Sequence, residues 1–246
     1  MTRILYVLIA SLSLSLFVRS AAAADLPAAA DEVVSLVEKI ITASGGKTAV
    51  AGMTGVHASG DIEAYMRGDR GKYGLFFQRP GKLRVETQYQ RASETRIVNN
   101  GRGYRGTDNA PLSPVQDHRF LAMVYQYRHF DLAYGLLTGM YSVRIKEKDH
   151  LNGKPVEVMH LTADDGPPMD VYVDTETFFV VKVTGYFTVS DGRPTTLSSE
   201  FSDFRKVGDM VFPFAVINYA GGQKIAETRM KTYRINPRLE DSLFLP

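Results

Sequence analysis

The chain is expected to fold as a mainly β (α+β) protein: one large curved antiparallel sheet of roughly eleven strands, with one N-terminal helix and one central helix against its concave face. Three observations lead there. Apolar residues alternate with a period of two through most of the chain after Gly55. Hairpin dipeptides recur, with Asn152-Gly153, Asp191-Gly192 and Gly221-Gly222 each set between β-rich runs. Only two segments carry a helical period.

The first helix follows from Val33, Leu36, Val37, Ile40 and Ile41, which recur at i, i+3, i+4, i+7 and i+8. Asp31 is placed to cap it and Gly45-Gly46 to stop it. Strands are expected near 55–66, 71–78, 82–89 and 93–99, separated by Gly, Asp, Pro and Asn. Asn109-Ala110-Pro111-Leu112-Ser113-Pro114 reads as a loop. Ser113 and Pro114 then start the second helix, whose stripe is Phe120, Met123, Val124, Tyr127 and Phe130. Further strands are expected near 141–149, 155–163, 169–174, 178–190, 195–206, 210–219 and 223–235. No composition shift marks a boundary, so residues 25–246 form one domain.

Residues 1–24 read as a secretory signal peptide: Arg3, an apolar stretch from Ile4 to Val18, and Ala22-Ala23-Ala24 before a cleavage point at Asp25. The apolar stretch is shorter than the roughly 20 residues that span a bilayer. Losing Arg3 and Arg19 takes Lys+Arg from 29 to 27 against 27 Asp+Glu, so the net charge falls from +2 to zero. A neutral product has no electrostatic footprint for nucleic acid. Without cysteine there is no disulfide, thiolate metal site, cysteine nucleophile or thioether-linked lipid anchor. The expected product is a soluble, exported protein.

Motifs for chemistry fail on context. Gly101-Arg102-Gly103-Tyr104-Arg105-Gly106 fits G-x-G-x-x-G but leads into Thr-Asp-Asn-Ala-Pro rather than a helix, which makes it a glycine-rich hairpin. Gly46-Lys47-Thr48 ends a helix instead of cradling a phosphate. His57, His118, His129, His150 and His160 lack metal-ligand spacing, so no metal and no cofactor is expected. There is no G-x-S-x-G elbow. Asp164-Asp165-Gly166-Pro167-Pro168 reads as a turn with solvated acids. A dispersed enzymatic site of Glu63, Glu86 and Asp203 has no local spacing behind it, and the chain is expected not to be an enzyme.

The informative segment is Tyr73 to Val85. Alternation puts Leu75, Phe77, Arg79, Leu83 and Val85 on one face, with Gln78, Lys82, Arg84 and Glu86 on the other. One arginine therefore shares a face with four apolar side chains. Either its stem packs at a sheet rim with its head in water, or it stands at the mouth of an apolar cavity ready to bond carbonyls of a ligand or covering loop.

Several stretches in order give the chain a resemblance to the periplasmic lipoprotein-carrier family, the LolA/LolB-like proteins, and to outer-membrane lipoprotein-sorting proteins. They are the signal and opening helix, Arg79-Pro80 with Leu83, Val98-Asn-Asn-Gly101, the central helix, Val171-Tyr-Val-Asp174, Phe201-Ser-Asp-Phe204-Arg-Lys-Val-Gly208 with Phe212-Pro213, and Phe244-Leu-Pro246. The resemblance implies a half-open antiparallel β-barrel whose helices form a lid over an apolar cavity that binds acyl chains, in a monomeric protein of the periplasm. Arg79 falls on the arginine that holds the lid closed, and Leu83 on an apolar cavity position. The implied ligand-binding set is Leu75, Phe77, Arg79, Leu83, Val85, Phe120, Val124 and Tyr127. Implied partners are the acyl chains of a lipoprotein or another lipid, with membrane-bound donor and acceptor proteins. The alternative is an envelope interaction module that grips a protein with its concave sheet and transfers no lipid.

Overall fold

A computed structural model describes residues 25–189 and 191–246. The expected signal peptide and its cleavage point lie outside the described residues. One antiparallel sheet dominates the molecule. Its first half comprises β1 (Gly55–Ala64), β2 (Asp69–Gln78), β3 (Lys82–Tyr89), β4 (Ser93–Asn99), β5 (Arg102–Thr107) and β6 (Ala110–Val115). Its second half comprises β7 (Ser142–Ile145), β8 (Asp149–Leu151), β9 (Lys154–Thr162), β10 (Met169–Asp174), β11 (Val180–Thr188), β12 (Pro194–Val207), β13 (Met210–Ala220) and β14 (Gln223–Ile235).

The strands lie in the order 6-5-4-3-2-1-14-13-12-11-10-9-7, with β8 beside β7 on the outer edge of β9. The first and last strands, β1 and β14, thus pair in the middle, while β6 and β7 form the two edges. The chain passes from one edge to the other through α3 (Asp117–Phe130) and α4 (Leu132–Leu137). That crossing lays two helices over the inner face of the sheet. Two earlier helices, α1 (Asp25–Ala43) and α2 (Lys47–Gly52), pack against α4.

Period-two burial accounts for the inner face. Val56, Ala58 and Ile62 of β1, Leu75 and Phe77 of β2, Leu83 and Val85 of β3, and Met210, Phe212 and Phe214 of β13 are buried. Full burial of a side chain such as Phe77 contributes about 1.5–3 kcal/mol. All of these except Ile62 join Val50 and Met53 of the α2 region and Met123 and Tyr127 of α3 in one core. A second core forms where Leu36 and Ile40 of α1 and Leu132 and Leu136 of α4 meet Met159, Leu161, Val171 and Val183.

Among the described residues fourteen strands stand where roughly eleven were expected. The stretch read as a loop is the edge strand β6, which tolerates Pro111 and Pro114 because an edge has ladder positions that need no N–H. Accordingly α3 begins at Asp117, not at Ser113-Pro114. The glycine-rich hairpin is real and contains β5. A Cβ on Gly103 would lie 2.6 Å from the Phe120 ring of α3, and Gly106 sits at a register shift between β5 and β6. The run expected near 141–149 divides into β7 and β8.

Two helix boundaries also differ. Asp31 lies inside α1 rather than capping it, since the helix already runs from Asp25. Gly45 and Gly46, with φ of 127° and 89°, do stop α1, but the chain then starts α2 at Lys47. Gly45 has a packing reason as well: a Cβ there would meet the Asp209 carbonyl oxygen at 2.2 Å, where Val211 N–H donates to the Ser44 carbonyl at 3.1 Å.

Candidate functional site

The cavity lies between the two cores. Leu75, Met210, Phe212 and Met230 form an apolar floor, and Ile40, Val50, Phe130, Leu132 and Tyr134 of the helices form the roof. Its volume of about 160 Å³ matches a void that holds one benzene-sized molecule.

Arg79 closes one end of it. The residue follows β2 and precedes Pro80, so the strand's end carries its side chain under the junction of α3 and α4. Its Nε donates to Asp131 Oδ1 at 2.8 Å, and its Nη1 donates to the Val50 carbonyl at 3.0 Å. The guanidinium also stands 3.7 Å from the centre of the Tyr134 ring. One side chain of the sheet thereby grips α2, the α3–α4 junction and α4. The side chains of Arg79 and Asp131 are only 9% and 6% exposed, so the arginine head is not in water at a rim. A second tie lies beside it: Gly81 N–H donates to the Tyr127 hydroxyl at 2.8 Å.

Burial pushes the Asp131 carboxyl up to about 6, with Arg79 pulling it back only in part. Burial, reinforced by the Asp131 charge, pushes the Tyr127 phenol up to about 12. Burial also pulls the His129 imidazole down to about 4, which leaves it neutral at pH 7.

Farther along the cavity the helix is seated differently. The Tyr125 hydroxyl donates to the Val183 carbonyl at 3.0 Å, over Gly185, where a Cβ would lie 2.7 Å from the Tyr125 ring. Arg128 pairs with Asp165, an acid 70% exposed on the β9–β10 loop. Asp165 is thus a solvated loop acid that nevertheless holds a lid residue.

Of the expected binding residues, Leu75 and Arg79 line the cavity. Phe77, Leu83, Val85 and Tyr127 pack in the core beside it, the Tyr127 ring 5.3 Å from that of Phe77. Phe120 seats α3 on Gly103, and Val124 faces Gly166 at 3.6 Å from where its Cβ would lie. Asp131, Tyr134 and Val50 were missed. The available signal was an aspartate between Phe130 and Leu132 at the end of an apolar stripe, where a buried acid needs a cationic partner. The candidate acids Glu63, Glu86 and Asp203 each bond an arginine nearby in sequence, and none lines the cavity. Among the described residues no group of His, Asp and Glu has metal-binding geometry, and no helix is long and apolar enough to cross a membrane.

An open antiparallel sheet with a helical crossing pinned over an internal cavity defines a half-barrel with a lid. No family model and no curated protein sequence matches the chain. Solved structures do. A domain named for outer-membrane lipoprotein sorting, from Vibrio parahaemolyticus, superposes with a TM-score of 0.55 at 11% identity, covering 87% of this chain and 97% of that one. A LolA superfamily protein from Nitrosomonas europaea gives 0.56 at 12% identity, over 87% and 97% of the two chains. A DUF1329 family protein from Desulfovibrio piger gives 0.55 at 11%, again over 87% and 97%. The chain has the LolA-like fold.

Proposed function

We propose that this protein is a soluble, non-enzymatic periplasmic carrier that encloses acyl chains of a lipoprotein or lipid and conveys them toward the outer membrane. The observation that carries the reading is the Arg79 clasp over an internal cavity with an apolar floor, on a LolA-like half-barrel. Exposing about fifteen methylenes to water costs about 12 kcal/mol at roughly 0.8 per methylene, so transit through an aqueous compartment needs such an enclosure. A cavity of about 160 Å³ is too small for that chain while the lid is shut. Loading therefore requires the α3–α4 crossing to move, and the clasp makes the lid a two-state element that a ligand biases. The membrane-bound donor and acceptor are part of the same proposal, as is the monomeric state.

The test is native mass spectrometry with lipid extraction on the purified mature protein. Co-purifying lipid that is lost on denaturation supports the reading. A protein that is free of lipid and takes up none from vesicles contradicts it.

A further inference from the structure

The cavity is not apolar throughout. Beyond its apolar floor, Tyr73, Gln126, His129, Asn218 and Thr228 also line it, and they are grouped. Gln126 and His129 sit one turn apart on α3 and so share a face. Gln126 Nε2 donates to the Tyr73 hydroxyl at 3.5 Å, the outer limit of a hydrogen bond. The His129 ring stands 5.5 Å from that of Phe201, which lies two residues along β12 from Ser199. Ser199 pairs with Asn218 in the ladder and donates its hydroxyl proton to Asn218 Oδ1 at 2.8 Å. Val216, two residues before Asn218, pairs with Thr228. These five side chains thus line the same cavity from α3 and three strands of the sheet.

The patch has spare hydrogen-bonding capacity. His129 Nδ1 is buried and lacks a partner among the described residues. The neutral imidazole offers one N–H donor and one acceptor, and a half-turn about Cβ–Cγ exchanges a ring nitrogen for a carbon. Asn218 spends its oxygen on Ser199, which leaves its amide N–H groups as donors. The patch is also uncharged. Arg79 and Asp131 are the charged residues lining the cavity among those described, and they are bonded to each other.

An all-hydrocarbon ligand would leave these groups unmet, and an anionic head would find no free cation to receive it. We infer that the cavity selects a neutral amphiphile, an acyl chain that carries its ester or hydroxyl groups into the molecule, where they bond to the patch around His129 and Asn218. This inference rests on the carrier reading and adds to it the chemistry of the ligand.

The experiment is displacement of the neutral dye N-phenyl-1-naphthylamine by two probes of equal chain length, 1-monododecanoylglycerol and dodecanoate at pH 7.5. The neutral ester is expected to displace the dye from the unmodified protein at least about tenfold more effectively. His129→Leu and Asn218→Leu, made singly and together, should still bind the dye and should narrow that ratio to within about threefold. His129→Gln, which keeps a donor and an acceptor, should retain most of it. Equal displacement by the two probes, preference for dodecanoate, or a ratio unchanged in every variant overturns the inference while leaving the carrier reading intact. Failure of the unmodified protein to bind dye or either probe overturns the carrier reading and the inference with it.

Discussion

The lid is fastened on two sides by different physics. On the β2 side the fastening is a buried ion pair, Arg79 with Asp131, supplemented by the Val50 carbonyl and the Tyr134 ring. On the β11 side it is a neutral seat, Tyr125 packed over Gly185 and bonded to Val183, with an ion pair at the rim between the buried Arg128 and the exposed Asp165. A buried pair binds each partner to the other, because removing one strands the second without water. The rim pair is one-sided, since water serves the exposed Asp165 but not Arg128, whose side chain is only 9% exposed. In the proposed carrier the β2 side would be the clasp that opens, and the β11 side the bearing against which the helix rests.

The most severe way to break this contrast is Asp131→Ala. It leaves a buried guanidinium that cannot deprotonate, and we expect a loss of about 3–5 kcal/mol in chemical denaturation. Arg79→Leu should cost less, because a carboxyl already raised to about 6 takes up a proton and becomes neutral. Arg79→Leu with Asp131→Leu should recover much of either loss. A larger loss for Arg79→Leu than for Asp131→Ala would refute the clasp as drawn.

On the bearing side, Gly185→Ala forces the Tyr125 ring away from β11 and should cost about 1–3 kcal/mol. Unaltered stability would mean that Tyr125 is free to shift.

The pH response should separate the two sides again. With the lid closed Asp131 titrates near 6, and an open lid that returns it to water restores the ordinary carboxylate range. The closed state thus holds the proton more tightly, so acid favours closure and the ionised carboxylate above pH 6 favours opening. The groups facing Asp131 are Arg79, Arg128, Tyr127 and Tyr141; burial pushes the Tyr127 phenol up to about 12 and the Tyr141 phenol up as well, and it holds the His129 imidazole down at about 4. Dye uptake should be about tenfold weaker at pH 5 than at pH 7.5, and Asp131→Asn should flatten the profile. A profile that runs the other way contradicts the sign of the coupling.

The smallest effect belongs to the rim. Asp165→Asn keeps an oxygen that accepts from the buried Arg128 and alters only an exposed charge, so it should change stability by less than about 1 kcal/mol and quicken dye uptake only a few-fold in stopped flow.

Most of the sheet was legible in the sequence because period-two burial and glycine turns are local signals. The segments 82–89, 93–99 and 169–174 agree with the strands found there to the residue. β6 was illegible because its two prolines mark a loop anywhere except at an edge, and being an edge is a fact of topology. Arg79 was legible because a charge on an apolar face is conspicuous in alternation. Its partner was not, since Asp131 lies 52 residues away and is brought to it only by the crossing from edge to edge. The neutral patch was invisible for the same reason: Gln126, Asn218 and Thr228 are unremarkable polar residues until three strands and a helix gather them.

The central claim is that the α3–α4 crossing moves to admit an acyl chain. The absence of cysteine allows Arg119→Cys on α3 and Ser202→Cys on β12 to carry the only two spin labels, both at exposed positions. Pulsed electron spin resonance should show the distance between them lengthening by several ångströms when monododecanoylglycerol saturates the protein at pH 7.5. Bound lipid with an unchanged distance distribution would contradict the account.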